Sequence, residues 1–418
     1  MSIRVTTLPN GLRVATDTMP GVQSVSLGCW VGVGTRNESA SVNGVAHLVE
    51  HMLFKGTERR SAFRISEEIE NVGGQLNAYT TREQTAYYAK VLHDDTALAL
   101  DLIADMLQNS VLDSEELVRE RTVVLQEIGQ SADTPDDIIF DHFQSTAYPG
   151  QALGRPVLGS AEIVGALSRP ALVDYIDGHY GAPGIVLAAA GRLEHDRLVD
   201  MALSAFDGLS SRPAPESEDA RYAGGDFREA RDLEQMHLVL GFDGVGVHDP
   251  DYYAHSVMST LLGGGMSSRL FQEVREKRGL VYSIYTFSGA YRDGGLFGVY
   301  AGTGEDEVAE LVPVVCDELM RVTEDVTEEE VARAAAQLRA GTLMALESSM
   351  SRCEQLGQQL LVYGRPVPVE EIVEKIGAVD RESIVRVARR LRESRPTVAA
   401  LGPIGRLEEY DRIAARFR

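Results

Sequence analysis

The strongest constraint on this chain is that part of it is written twice. Ala46-His47-Leu48-Val49-Glu50-His51-Met52-Leu53-Phe54-Lys55-Gly56 lies over Ala254-His255-Ser256-Val257-Met258-Ser259-Thr260-Leu261-Leu262-Gly263-Gly264 at an offset of 208 (254 − 46). Residues 72–80 resemble residues 277–286 with small gaps. Each copy continues into a strand-like and then a helix-like stretch, 85–92 into 97–107 and 295–302 into 305–320. Four elements in the same order point to an internal duplication. A chain of 418 residues is too long for one hydrophobic core in any case. Between the copies lies GLSSRPAPESEDARYAGGD, rich in Pro, Gly, Ser and acid and without apolar period, as a linker would be. The expected organisation is a first domain at 1–210, a linker at 211–225 and a homologous second domain at 226–418.

Within each half both periods occur. Residues 24–33 alternate like a half-buried strand, while 45–54, 61–72 and 97–107 repeat like helices. Another helix is predicted over 114–131, with Ser114 as its cap and Asp113, Glu115 and Glu116 favouring its positive end. Strands and helices mix without a regular βαβ rhythm. The predicted class is therefore α+β, each domain a largely antiparallel sheet flanked by helices.

Lys+Arg number 40 against Asp+Glu 63, a formal net charge of −23. So acidic a chain is unsuited to gripping phosphate backbones, which excludes nucleic acid as the expected partner; the charge suits staying soluble first and attracting basic ligands second. Cys29, Cys316 and Cys353 are odd in number and far apart, so reduced, buried thiols are expected. The opening MSIRVTTLPNGLRV has no apolar core of a secretory signal, and no run of 18 apolar residues occurs to span a membrane. A cytoplasmic location is the resulting expectation.

The chemistry concentrates in His47-Leu48-Val49-Glu50-His51. On a helix, residues four apart face the same way, so both imidazoles share one side. Two imidazoles on one face are a common way to hold zinc, and Glu50 lies beside them as a general base that is not itself a ligand. The neighbours Val45, Leu48, Val49, Met52, Leu53 and Phe54 are apolar, so the segment is expected to be buried. Zinc needs a third protein ligand. Glu120 and Glu127 share a face of the 114–131 helix, seven residues apart, with apolar Val123 and Val124 between them. Carboxylates on a partly buried face are costly unless hydrogen-bonded or paired with a cation. One would ligate and the other orient an imidazole. Gly263-Gly264-Gly265 is followed by Met-Ser-Ser, without the Lys of a phosphate loop, and reads as a turn.

The stretch Gly44-Val45-Ala46-His47-Leu48-Val49-Glu50-His51-Met52-Leu53-Phe54-Lys55-Gly56-Thr57 resembles the signature of the pitrilysin/insulinase family of zinc metallopeptidases, whose motif inverts HExxH. The resemblance runs from Leu8-Pro9-Asn10-Gly11-Leu12 to the C-terminal helices and is closest to the short, two-domain processing-peptidase type. It implies one zinc per chain, with Glu127, 76 residues past His51 (127 − 51), as third ligand and Glu120 as the accompanying acid. The segment with Gly73-Gly74, Asn77-Ala78 and Thr80 resembles the family's substrate-pairing strand, which gives Asn77 and Ala78 a peptide-binding role. Arg275 and Tyr282 match an Arg-x6-Tyr pair that reaches substrate from the second domain. Met258 and Ser259 stand where the second copy would need Glu and His, so that copy is expected to hold no zinc.

The resemblance further implies domains that enclose a cavity, and a homodimer or a heterodimer with a related subunit. The implied activity is zinc-dependent endopeptidase cleavage of peptides or unfolded, presequence-like segments held in extended form. Glu50 is the base, Tyr282 stabilises the oxyanion, and Arg275 binds substrate or orients Tyr282. The alternative is a non-catalytic scaffold or assembly subunit, a kind this family also contains. Such chains typically lose the metal residues, and here His47, Glu50, His51 and Glu127 are all present.

Overall fold

Two β-sheets organise the computed structural model, which describes residues 3–418. The first contains β1 (Ile3–Thr7), β2 (Arg13–Thr18), β3 (Ser24–Val31), β4 (Gln75–Thr80), β5 (Thr85–Leu92) and β6 (Ile185–Gly191), in the order β1-β2-β6-β3-β5-β4. The second contains β7 (Gly225–Ala230), β8 (Met236–Asp243), β9 (Ser283–Ala290), β10 (Gly295–Thr303) and β11 (Thr397–Gly402), in the order β7-β11-β8-β10-β9. The orders match once the β1 hairpin strand is set aside. Each sheet has one parallel pair at the equivalent place, β2 with β6 and β7 with β11, and is otherwise antiparallel. The duplication legible in two sequence segments therefore extends to whole topologies, and the α+β class holds.

The compact units do not follow the two halves of the chain. One comprises residues 1–130, 155–218 and 344–367; the other comprises 131–154, 219–343 and 368–418. Against the expected boundaries of 1–210 and 226–418, each half gives one helix to the other half's sheet. The helix Pro135–Ala147 packs on β11, β8 and β7, and the helix Ser349–Tyr363 packs on β6, β3 and β2. The physical reason is that both faces of these sheets are apolar. β3 sends Leu27, Cys29 and Val31 into one core and Trp30 into another. β8 sends Leu238, Leu240 and Phe242 one way and Val239 the other. A sheet buried on both sides needs a cover for each, and the exchanged helix supplies the second.

Trp30 shows how closely that cover fits. It is fully buried beside Cys353, Leu356 and Leu360. A Cβ at Gly357 would come within 2.5 Å of the indole, so only glycine lets the helix approach this near. Arg352 pairs with buried Asp17 at 3.0 Å, and Cys353 Sγ donates to the Ala188 carbonyl at 3.3 Å. Truncating Trp30 to alanine is expected to cost about 3–5 kcal/mol.

Residues 210–224 form neither helix nor strand. All three cysteines are free and buried. Among the described residues no helix is long and apolar enough to cross a membrane. The helix Ser114–Ala132 starts where expected, but its cap differs: Asp113 Oδ1 accepts from the Glu115 and Glu116 N–H groups at 2.8 and 3.1 Å, leaving Ser114 as the first helical residue.

Candidate metal centre

The helix Val45–Leu53 is set in place before any metal chemistry is considered. Its N-cap, Gly44, has φ +97° and no side chain to satisfy the exposed amides of the first turn. Glu38 does so from six residues upstream. Its Oε2 accepts from Gly44 N–H at 2.9 Å and from Asn43 Nδ2 at 2.8 Å, and its Oε1 accepts from Ala46 N–H at 2.8 Å. A carboxylate here also complements the helix dipole, although burial pushes the Glu38 carboxyl up to about 7. One side of the helix, with Val45, Ala46, Leu48, Val49, Met52 and Leu53, lies in the core.

The opposite side carries His47, Glu50 and His51. Their ring centroids bring the two imidazoles to 4.7 Å. Glu127, from the helix Ser114–Ala132, places Oε2 at 3.8 Å from His47 Nε2 and 3.6 Å from His51 Nε2. One ligand atom from each of these three residues lies within 4.8 Å of the others. A tetrahedral metal with bonds near 2.0–2.1 Å needs ligand atoms about 3.4 Å apart. The trio thus fits a zinc-sized ion with a small inward adjustment.

Protonation also suits a metal. His51 Nδ1 donates to Glu120 Oε2 at 3.0 Å, which leaves the Nε2 lone pair directed at the cluster. Glu120 is buried, and Lys55 Nζ balances it at 2.7 Å from Oε1. Burial, with the neighbouring His51, pushes His47 down to about 4, so its imidazole is neutral and available as a ligand near neutral pH. His47 Nδ1 is buried and has no hydrogen-bond partner among the described residues. Glu50 stands just outside the trio. Burial raises its carboxyl above the usual range, opposed in part by the Thr80 hydroxyl, which donates to Oε2 at 2.6 Å.

The remaining sequence-predicted residues fall in two places. Asn77 and Ala78 lie on β4, which is the edge of the first sheet. They pair with Tyr88 and Tyr87 on one side only, and Asn77 Oδ1 accepts the Ala78 N–H at 2.8 Å. Arg275 and Tyr282 belong to the second unit. Arg275 sits in a π-helical turn, Phe271–Glu276, and its guanidinium lies 4.8 Å from the Phe271 ring centroid and 5.6 Å from that of Tyr282. Tyr282 is 79% exposed. Sequence reasoning did not assign roles to Glu38, Lys55 or Thr80. Lys55 and Thr80 stood inside the motif stretches, but their partners lie in other elements.

Comparison with known proteins identifies the family. The model of the insulinase family of peptidases (M16) matches residues 13–161, and that of the M16 inactive domain matches residues 166–338. An uncharacterized zinc protease of Streptomyces coelicolor is 40% identical over 413 residues, covering 96% of this chain and 90% of that protein. The mitochondrial-processing peptidase subunit beta of Mus musculus is 40% identical over 429 residues, covering 99% of this chain and 87% of that protein. Among solved structures, a peptidase M16 inactive domain from Pseudomonas fluorescens superposes with a TM-score of 0.90 at 21% identity, covering 98% of this chain and 99% of that one. A chain of the Candida albicans complex III dimer superposes with a TM-score of 0.86 at 25% identity, with both chains fully covered. At this identity and coverage, the chain belongs to the insulinase (M16) peptidase family.

Proposed function

We propose that the chain is a zinc-dependent endopeptidase. The observation that carries this is the approach of both Nε2 atoms to one oxygen of Glu127, with His51 held from behind by Glu120. His47, His51 and Glu127 would hold the ion. Zinc at such a site supplies Lewis acidity that polarises a carbonyl and acidifies water. The chain's own groups do the rest. Glu50 Oε2 is occupied by Thr80, so Oε1 takes the proton from the attacking water and returns it to the leaving amine. Its raised carboxyl makes it a stronger base than an exposed glutamate.

The outer edge of β4, around Asn77 and Ala78, takes the substrate as an added strand, main chain to main chain. Arg275 and Tyr282 serve substrate binding and oxyanion stabilisation; the exposure of Tyr282 and its stack with Arg275 support this. The formal net charge of −23 favours basic, presequence-like peptides. The relative named a processing-peptidase subunit favours pairing with a related subunit or a second copy.

The test joins metal analysis to peptide cleavage for wild type and Glu50→Gln. The variant should keep one zinc per chain and lose turnover by about 10³-fold, within the range for a removed general base. A wild type that binds zinc but cleaves no peptide in a mixed pool would instead support a scaffold subunit.

A further inference from the structure

Glu50 has three rotatable side-chain bonds, yet a general base must be held in one place. Among the described residues, Thr80 is the one side chain hydrogen-bonded to its carboxylate, at 2.6 Å. Thr80 closes β4, and its β-branched side chain is stiff about χ1. The strand is itself anchored at this end, on its other face. The Tyr79 hydroxyl receives Trp30 Nε1–H at 3.2 Å and donates to Glu354 Oε1 at 3.0 Å; the Gln84 and Gln358 amides lie at 3.4 and 3.3 Å. Glu354 and Gln358 belong to the exchanged helix Ser349–Tyr363. The hydroxyl that grips Glu50 thus hangs from a strand clamped to a buried tryptophan.

We propose that Thr80 is a positioning residue that fixes the Glu50 carboxylate through Oε2 and leaves Oε1 for proton transfer, so that the strand offered to the peptide also sets the base. The inference rests on the endopeptidase reading and adds to it a residue that acts through Glu50. A misplacement of about 1 Å at a reacting group can cost on the order of 100-fold in rate.

The experiment compares zinc-loaded wild type, Thr80→Val, which keeps the shape and loses the hydroxyl, and Thr80→Ser, which keeps the hydroxyl. For Thr80→Val, kcat should fall about 10–100-fold with KM changed less than about 2-fold and zinc content intact. Thr80→Ser should recover most of kcat. Unchanged kcat in Thr80→Val, an equal loss in Thr80→Ser, or a change confined to KM overturns the proposal. Crystal structures of wild type and Thr80→Val supply a readout independent of turnover. The Glu50 carboxylate should leave its wild-type position in the variant, and finding it unmoved overturns the proposal even if wild type proves inert. Inert wild type would by itself count against the endopeptidase reading, so the two failures are distinguishable.

Discussion

The helices Val45–Leu53 and Tyr252–Gly263 occupy equivalent places in two sheets of the same topology, yet only the first has the residues of a metal centre. At the offset of 208, His47 corresponds to His255, Glu50 to Met258 and His51 to Ser259. Met258 is fully buried. Ser259 turns its hydroxyl to Thr286 on β9 at 3.2 Å, and Thr286 donates back to the Ser259 carbonyl at 2.6 Å. On β4 the threonine hydroxyl instead reaches a carboxylate. The acids opening the helix Glu328–Ala345 are also differently employed, Glu330 being bound to Arg269 at 2.7 Å. Only His255 remains, buried, with Nε2 unpartnered among the described residues and Nδ1 3.4 Å from Ser288 Oγ. The lesson is that this fold does not need the polar cluster. The second copy buries methionine and serine there and keeps its topology. Retaining two imidazoles and three carboxylates in the first copy costs desolvation that a bound cation would offset.

The comparison is broken most completely at His51. His51→Ala removes one of the three proposed ligands and leaves Glu120 and Lys55 paired only with each other. Zinc should be lost from the purified protein and peptide cleavage with it, as on adding a chelator, while circular dichroism stays native because the second copy reaches the same topology with methionine and serine in place of Glu50 and His51. A His51→Ala protein that keeps stoichiometric zinc would place the ion elsewhere.

The converse change writes the Glu50 carboxylate back into the second copy. Met258→Glu puts a carboxylate in a fully buried position. It should bind no second zinc and should destabilise the second unit by about 3–5 kcal/mol, the usual cost of an uncompensated buried charge. Hydrogen exchange at the β8 and β10 amides would read this directly. Protection equal to wild type would mean that the site can hold a charge without a cation.

How much of this contrast was legible in the chain depends on the range of the interaction. The 3.6-residue period exposed the shared face of His47 and His51, and a seven-residue spacing placed Glu120 and Glu127 on one face of the next helix. β5 spans the predicted 85–92 because β-branched and aromatic residues there bound a buried stretch. Contacts set by tertiary structure were not legible. Thr80 meets Glu50 across 30 residues and Glu120 meets His51 across 69, and neither pairing leaves a local period. The helix exchange was hidden for the same reason. An apolar face announces that a helix must be covered, not which sheet covers it. The packing of 135–147 and 349–363 on the sheet of the other half is therefore visible only in the structure.

A finer cut separates holding the ion from orienting a ligand. Glu120→Gln keeps the shape but weakens the anchor on His51 Nδ1 and strands the Lys55 charge. Zinc affinity in a metal-buffered titration should fall about 10–100-fold, as for other partners of metal-bound imidazoles. Lys55→Met, which removes the charge but not the anchor, should have a smaller effect. An effect larger for Lys55→Met than for Glu120→Gln would mean that compensating charge, not ring orientation, is what Glu120 contributes.

The last expected effect belongs to the surviving histidine of the second copy. Burial, with Arg390 adding to it, pushes His255 down to about 4 from its ordinary 6.5. Between those values the unfolded chain binds a proton that the folded chain does not. The stability conferred by neutral His255 is therefore complete above about pH 6.5 and is lost as pH falls toward 4. His255→Phe should suit the site, since the ring already packs edge-on to Phe297 at 5.7 Å and makes only one long polar contact. Relative to the variant, wild type should lose about 2–3 kcal/mol of second-unit stability between pH 7 and pH 4.5, following from the size of the shift. Hydrogen exchange at β10 across that range measures it. Parallel pH profiles for the two proteins would show that His255 takes up its proton without unfolding cost, and that the second copy had room for a charge after all.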